Sequence, residues 1–166
     1  LGKTVQAIAL ILARADEGPT LIVAPTSVCA NWKAEFQKFA PSLNCEVFGP
    51  GDRAQVLNKL GPRHVLIASY GLLQSEQQAF KKIKWRIAVL DEAQAIKNAH
   101  AKRSQAALEI HAAFRVVTTG TPIENNLSEL WSIFNFIIPG LLGSREGFQR
   151  RFAAAIEHDN SQDALK

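Results

Sequence analysis

Hydrophobic positions along this chain fall into two alternating kinds of segment. Four compact apolar runs, "TLIVAP" (Thr20 to Pro25), "HVLIASY" (His64 to Tyr70), "RIAVLDEA" (Arg86 to Ala93) and "RVVTTGTP" (Arg115 to Pro122), are rich in Val, Ile and Leu, and a weaker one is "CEVF" (Cys45 to Phe48). Unbroken apolar runs of this length predict strands covered on both faces, as in a parallel sheet. Between them the period changes to that of a helix. In "TSVCANWKAEFQKFAP", Val28, Trp32, Phe36 and Phe39 share one helical face, and Pro41 ends the segment. In "NNLSELWSIFNFIIPG", Leu127, Leu130, Trp131, Phe134, Ile137 and Ile138 follow the i, i+3, i+4 rhythm, with Asn126 as the expected N-cap and Glu129 three residues on. Strands alternating with helices predict an α/β fold with a mainly parallel sheet and helices on both faces. From Ser144 the strand character is lost, and the sequence predicts a helix, a polar loop and the start of a second helix.

In such a sheet, ligands bind at the carboxyl ends of the strands. The polar residues that close each apolar run, "PT", "SY", "DEAQ" and "TGTP", therefore meet at one edge. Asp91 and Glu92 leave a buried strand together. An Asp so placed can hold Mg²⁺, and the neighbouring Glu can orient or deprotonate a water; the pair can equally serve the dipole of a following helix. At the start of the chain, Gly2, Lys3 and Thr4 precede "VQAIALILA", an apolar helical stretch. These are the last three residues of a G-x-x-x-x-G-K-[ST] phosphate loop, and the loop needs a helix directly after it. With both features in one chain, the reading is an ATP site that also takes Mg²⁺, held by Thr4 and Asp91.

The 166 residues suffice for one domain with a proper core, and the composition is that of a globular protein. No apolar run approaches the roughly 18 residues of a membrane helix, so no membrane is expected. A net charge of +4 leans towards an anionic partner. Cys29 and Cys45 lack metal-ligand spacing, the four histidines are scattered, and reduced thiols fit a cytoplasmic protein.

The longer strings "LDEAQAIKN" and "TGTPIENNLSELWSIFNFIIPGLLGS" resemble the Swi/Snf-type DNA-translocating ATPases of helicase superfamily 2. "LGKT" resembles the end of their motif I, "LIVAPTSVCANWKAEFQKFAP" the motif Ia region, "IASYGLL" the DNA-side motif that follows, "DEAQAIKN" motif II and "TTGTPIENN" motif III. The resemblance implies the first RecA-like P-loop NTPase lobe over 1–143, missing the strand before the P-loop, which is expected inside the sheet. It makes 144–166 a helical extension towards a second RecA-like lobe of the same parent chain. It assigns phosphate binding to Gly2, Lys3 and Thr4, Mg²⁺ to Thr4 and Asp91, and activation of water to Glu92. Gln94 stands where many relatives have His and would link the nucleotide to motif III, and Thr119, Gly120 and Thr121 would couple the lobes. Pro25, Thr26, Ser69 and Tyr70 would face the backbone of double-stranded DNA. The parent would be a translocase acting on a DNA-bound protein such as RNA polymerase or another nucleoprotein, in the nucleoid of a prokaryote or the nucleus of a eukaryote. The 166 residues alone are expected to be inactive. Two alternatives stand beside this: an RNA-directed superfamily 2 ATPase, and a non-catalytic fragment or interaction module. Trp32 and Trp131 read as core, Trp85 as partly exposed. The run Lys81 to Trp85, with Arg145, Arg150 and Arg151, reads either as a DNA contact or as a solvated basic face.

Overall fold

The computed structural model describes residues 2–98, 101–120 and 127–152. Helix α1 (Lys3–Ala13) leads to strand β1 (Thr20–Ala24), followed by α2 (Thr26–Phe39), β2 (Asn44–Val47), α3 (Arg53–Asn58) and β3 (His64–Ser69). Then come α4 (Tyr70–Ser75), α5 (Gln77–Lys81), β4 (Trp85–Asp91), α6 (Lys102–Leu108), β5 (Ala112–Thr118) and α7 (Leu127–Ile137). Residues 145–152 are also helical. The five predicted strands are all present. They form one sheet in the order β2-β3-β1-β4-β5, and every pairing is parallel.

Apolar runs become central strands because alternate residues face opposite layers and both layers are dry. In β1, Leu21 and Val23 join one core cluster while Ile22 and Ala24 join the other. The second cluster lies under α1 and α2 and includes Ile8, Ile11, Trp32, Phe36, Val65, Ile67, Ile87 and Val89. The first lies under α4 to α7 and includes Tyr70, Phe80, Trp85, Leu90, Ala107 and Phe136. The two layers therefore clamp β1, β3 and β4. The five strands are contiguous, so a further strand could join only along the outer side of β2 or β5. On β5, Phe114 is 41% exposed.

Three packing expectations change. Phe39 ends α2 beyond the sheet and is exposed, with the Lys38 ammonium 4.7 Å from its ring centre, a cation–π contact. On α7 the row carrying Ser132, Ile133 and Phe136 is buried, whereas Ile138 is half exposed and Trp131 and Phe134 lie at the flank. Ser132 can occupy that row because its single hydroxyl proton has two acceptors in reach, the carbonyls of Ser128 at 2.9 Å and Lys97 at 3.2 Å. Trp131 donates to the Gly143 carbonyl at 3.1 Å. Trp85 is buried, not partly exposed: its ring stacks on Phe80 and its indole N–H donates to the Phe80 carbonyl at 3.2 Å. A buried indole needs such a partner. Asn126, the expected cap of α7, lies outside the described residues, as does the second helix expected near the chain end.

Trp85→Ala removes a large ring from the core and is expected to cost about 3–5 kcal/mol. Leu141→Ala, at an exposed position, should stay within about 0.5 kcal/mol. Urea unfolding midpoints check both. A Trp85→Ala loss below about 1 kcal/mol would contradict this account of the core.

Candidate functional site

The parallel sheet sets the geometry. Asp91, the last residue of β4, is in register with Thr118, the last residue of β5. The Thr118 hydroxyl donates to Asp91 Oδ1 at 2.5 Å, and the Glu92 backbone N–H donates to the same oxygen at 3.0 Å. Asp91 Oδ2 accepts the indole N–H of Trp32 at 2.8 Å, from the helix layer on one face of the sheet. From the other layer, the Tyr70 hydroxyl donates to the Asp91 backbone carbonyl at 2.9 Å. Four groups from three other elements and the next residue thus hold one aspartate.

Glu92 turns the chain. Its φ of 50° lies in the left-handed region, uncommon for a residue with a side chain and frequent at functional sites. The Glu92 carboxylate reaches the segment that follows β5. There Oε2 accepts the Gln94 amide at 2.7 Å and the Gly120 backbone N–H at 3.2 Å. Gln94 Oε1 accepts the Thr119 hydroxyl at 3.1 Å. The hydrogen bond from Gln94 is the largest influence on Glu92, followed by that from Gly120; with a smaller contribution from Lys3 they outweigh desolvation and hold its carboxyl below the ordinary 4.5. Glycine at 120 suits this approach: a Cβ there would sit 3.2 Å from Glu92 Oε1.

Lys3 reaches the same place from the first turn of α1, donating its ammonium to the Thr119 carbonyl. Gly2 before it has φ 85°, a conformation that favours glycine. Gly2 and Thr4 line a cleft of about 360 Å³ with Val5, Val28, Asn31, Trp32 and Glu35. The start of α1 and the ends of β4 and β5 therefore converge, as the strand-end reading requires.

The expected DNA-facing residues divide. Thr26 is exposed at the start of α2, and Pro25 before it is half-buried. Ser69 and Tyr70 are buried instead, with hydroxyls already engaged: Ser69 accepts the Leu72 N–H as cap of α4, and Tyr70 binds Asp91. Their hydroxyls therefore do not face outward as expected. Of the three residues expected to couple lobes, Thr119 and Gly120 touch the Gln94–Glu92 pair, and Thr121 lies outside the described residues. Lys81 is paired with Glu109 at 3.1 Å. Two residues of the site were not singled out for it from the sequence. Thr118 is the first of the three threonines in "TTGTP", and only strand register puts it beside Asp91. Trp32 read as core, and its N–H gives it a second role.

Among the described residues no three His, Cys, Asp or Glu side chains gather as a metal cage. Mg²⁺ beside nucleotide phosphates needs no cage, since one or two protein oxygens suffice and waters and phosphates complete the shell. Asp91 with Thr4 on the neighbouring cleft fits that donor set. Burial pushes the Cys45 thiol up to about 12 and raises Cys29 as well, which keeps both protonated and out of the chemistry.

Gln94→Ala removes the leading stabiliser of ionised Glu92, so its carboxyl should titrate closer to 4.5. Because the folded pKa is depressed, the stability that Glu92 contributes is present above that value and is lost as pH falls through the folded pKa. The variant should lose part of this acid-side dependence, and carboxyl ¹³C shifts against pH measure it. An unchanged titration would remove Gln94 from the role.

The SNF2-related domain model matches residues 1–166. YwqA of Bacillus subtilis, named for an ATP-dependent helicase/translocase, is 42% identical over 99% of this chain and 19% of its own length. The chromatin-remodeling ATPase INO80 of Arabidopsis thaliana is 38% identical over 95% of the chain and 12% of its own length. The SWI2/SNF2 ATPase core of Sulfolobus solfataricus, solved in complex with double-stranded DNA, superposes with a TM-score of 0.85 at 40% identity, covering 95% of this chain and 34% of that one. The same archaeal core domain in a second structure gives 0.81 at 38%, covering 99% and 34%. The chain thus spans less than a fifth of these curated relatives and about a third of the solved cores. Its all-parallel α/β sheet is the RecA-like fold of such a lobe, and the chain belongs to the SNF2-related family as a lobe of a Swi2/Snf2 ATPase motor.

Proposed function

We propose that the full-length protein is an ATP-dependent translocase on double-stranded DNA that remodels or displaces DNA-bound protein, such as RNA polymerase or another nucleoprotein. Residues 1–143 are its first motor lobe, and 144–166 lead towards a second. The observation that carries this reading is the junction at one sheet edge, where Lys3, Asp91, Glu92, Gln94 and Thr119 are linked by hydrogen bonds.

Gly2, Lys3 and Thr4 bind the phosphates of ATP, with the backbone N–H groups and positive end of α1 favouring the anion. Asp91 and Thr4 hold Mg²⁺. The chemistry supplied by that ion, when bound, is neutralisation of charge on the phosphate oxygens. Glu92, kept ionised by its donors, orients the attacking water and accepts its proton. Gln94 bonds Glu92 through one end of its amide and Thr119 through the other, so a movement of the segment after β5 reaches the base directly. Thr119, Gly120 and Thr121 carry that movement between lobes. Unlike His, Gln does not titrate near neutral pH, so this link is insensitive to pH there.

Thr26 and Pro25 approach the DNA backbone at the start of α2, where a hydroxyl and free N–H groups suit contacts that ignore sequence. Ser69 and Tyr70 support that surface from beneath. The DNA-bound archaeal core supports duplex DNA as the partner. Arginines of the second lobe complete the site, an effect of about 10³–10⁵ in rate where such fingers act, so the 166 residues alone are inactive. The protein works where the genome lies, in the nucleoid region of a prokaryotic cytoplasm or in a nucleus.

Full-length protein should hydrolyse ATP with Mg²⁺ and be stimulated by duplex DNA more than by RNA. Lys3→Ala should lower the rate at least about 100-fold by removing a transition-state charge. Glu92→Gln should still bind ATP but turn over slowly. Hydrolysis indifferent to DNA, stimulation by RNA alone, or full activity in Lys3→Ala would overturn the proposal.

A further inference from the structure

Trp32 lies in the middle of α2 and is 2% exposed, with its ring 6.2 Å from that of Phe36. Burial alone would be satisfied there by any large apolar side chain. An indole adds a single donor and no acceptor. That donor is spent on Asp91 Oδ2 at 2.8 Å, across 59 positions of sequence.

The lone pairs of Asp91 can be counted. A carboxylate offers about four acceptor sites, two on each oxygen. Thr118 and the Glu92 N–H take both on Oδ1, and Trp32 takes one on Oδ2. Among the described residues no further donor reaches Oδ2, so one site remains there beside the one that Trp32 takes. Trp32 also lines the cleft that contains Gly2 and Thr4. The start of its helix carries Pro25 and Thr26, and Thr26 lies about 9 Å along the axis from Trp32 at 1.5 Å per residue.

We infer that Trp32 is a positioning residue: its indole N–H aims the open lone pair of Asp91 at the Mg²⁺ position and ties that carboxylate to the helix whose first turn meets DNA. The inference rests on the ATP and Mg²⁺ reading of the site. A packing residue would affect stability alone. A positioning residue alters the response to metal at constant stability. Loss of such outer partners typically weakens metal binding about 10–100-fold.

The test uses full-length protein and the non-hydrolysable analogue adenylyl imidodiphosphate, with calorimetry at increasing Mg²⁺, with and without duplex DNA. In Trp32→Phe the aromatic ring is kept and the donor is lost. The expected result is unchanged analogue binding in EDTA, a Mg²⁺ requirement raised about 10-fold, and a reduced effect of DNA on that requirement. Asp91→Ala combined with Trp32→Phe should match Asp91→Ala alone, because Trp32 acts through Asp91. If Trp32→Phe lowers the melting temperature substantially, benzothienylalanine at position 32, which replaces N–H by sulfur in the same shape, decides the matter by the same readout. A wild-type Mg²⁺ requirement in the donor-free variant, or additive losses in the double variant, overturns the inference and leaves the ATPase reading standing. Wild-type protein whose analogue binding ignores Mg²⁺ overturns both.

Discussion

A parallel sheet buried on both faces delivers the carboxyl end of every strand to one edge, and here one carboxylate at that edge gathers the surrounding layers. Asp91 leaves β4 between β1 and β5, and donors from α2, β5 and the following turn converge on its side chain. A half-buried carboxylate would be costly without them, since desolvation opposes the charged form. With three donors its side chain is held in one orientation. Its orientation then depends on the register of β5, because a slip of one residue would carry the Thr118 hydroxyl to the other face. The core therefore does more than stabilise: it specifies where the open lone pair of Asp91 points.

Glu92 follows the opposite principle. Glu92 is half-buried, its donors come from short or glycine-bearing segments, and its backbone is left-handed. Asp91 is held by Trp32 and Thr118, and Glu92 by Gln94 and Gly120. A fixed acid suits the holding of a cation. An adjustable one suits work on a water molecule and sensitivity to a neighbouring lobe.

Most of the fold was legible because parallel strands advertise themselves: Leu21 to Ala24, Val65 to Ala68 and Ile87 to Leu90 are uninterrupted apolar runs, and uninterrupted runs imply cover on both sides. The clustering of Lys3, Asp91, Glu92, Gln94 and Thr119 was legible for the same reason, since strand ends share an edge. Side-chain direction was not. Ser69 and Tyr70 read as DNA-facing from the family resemblance, yet capping α4 and bonding Asp91 engage their hydroxyls inside the fold. On α7 the periodicity was right and the phase was off by a residue or two. A helix this apolar offers several plausible faces, and Ser132 could enter the core only because the Lys97 and Ser128 carbonyls were there to receive it.

Trp32 marks the boundary between what pattern can say and what it cannot. Periodicity weighs the indole as apolar surface, and by that measure Trp, Phe and Leu are alternatives on the buried face of α2. The N–H counts for nothing in such a sum, although an unpartnered one in that core would be penalised. Its presence is meaningful only once the sheet brings Asp91 within 2.8 Å. The same argument runs through Thr118, which differs from Val by one hydroxyl and is ordinary in a strand. Both residues satisfy the fold by shape and the site by a single hydrogen atom. Packing and chemistry are thus written in the same positions, and a substitution that preserves volume separates them.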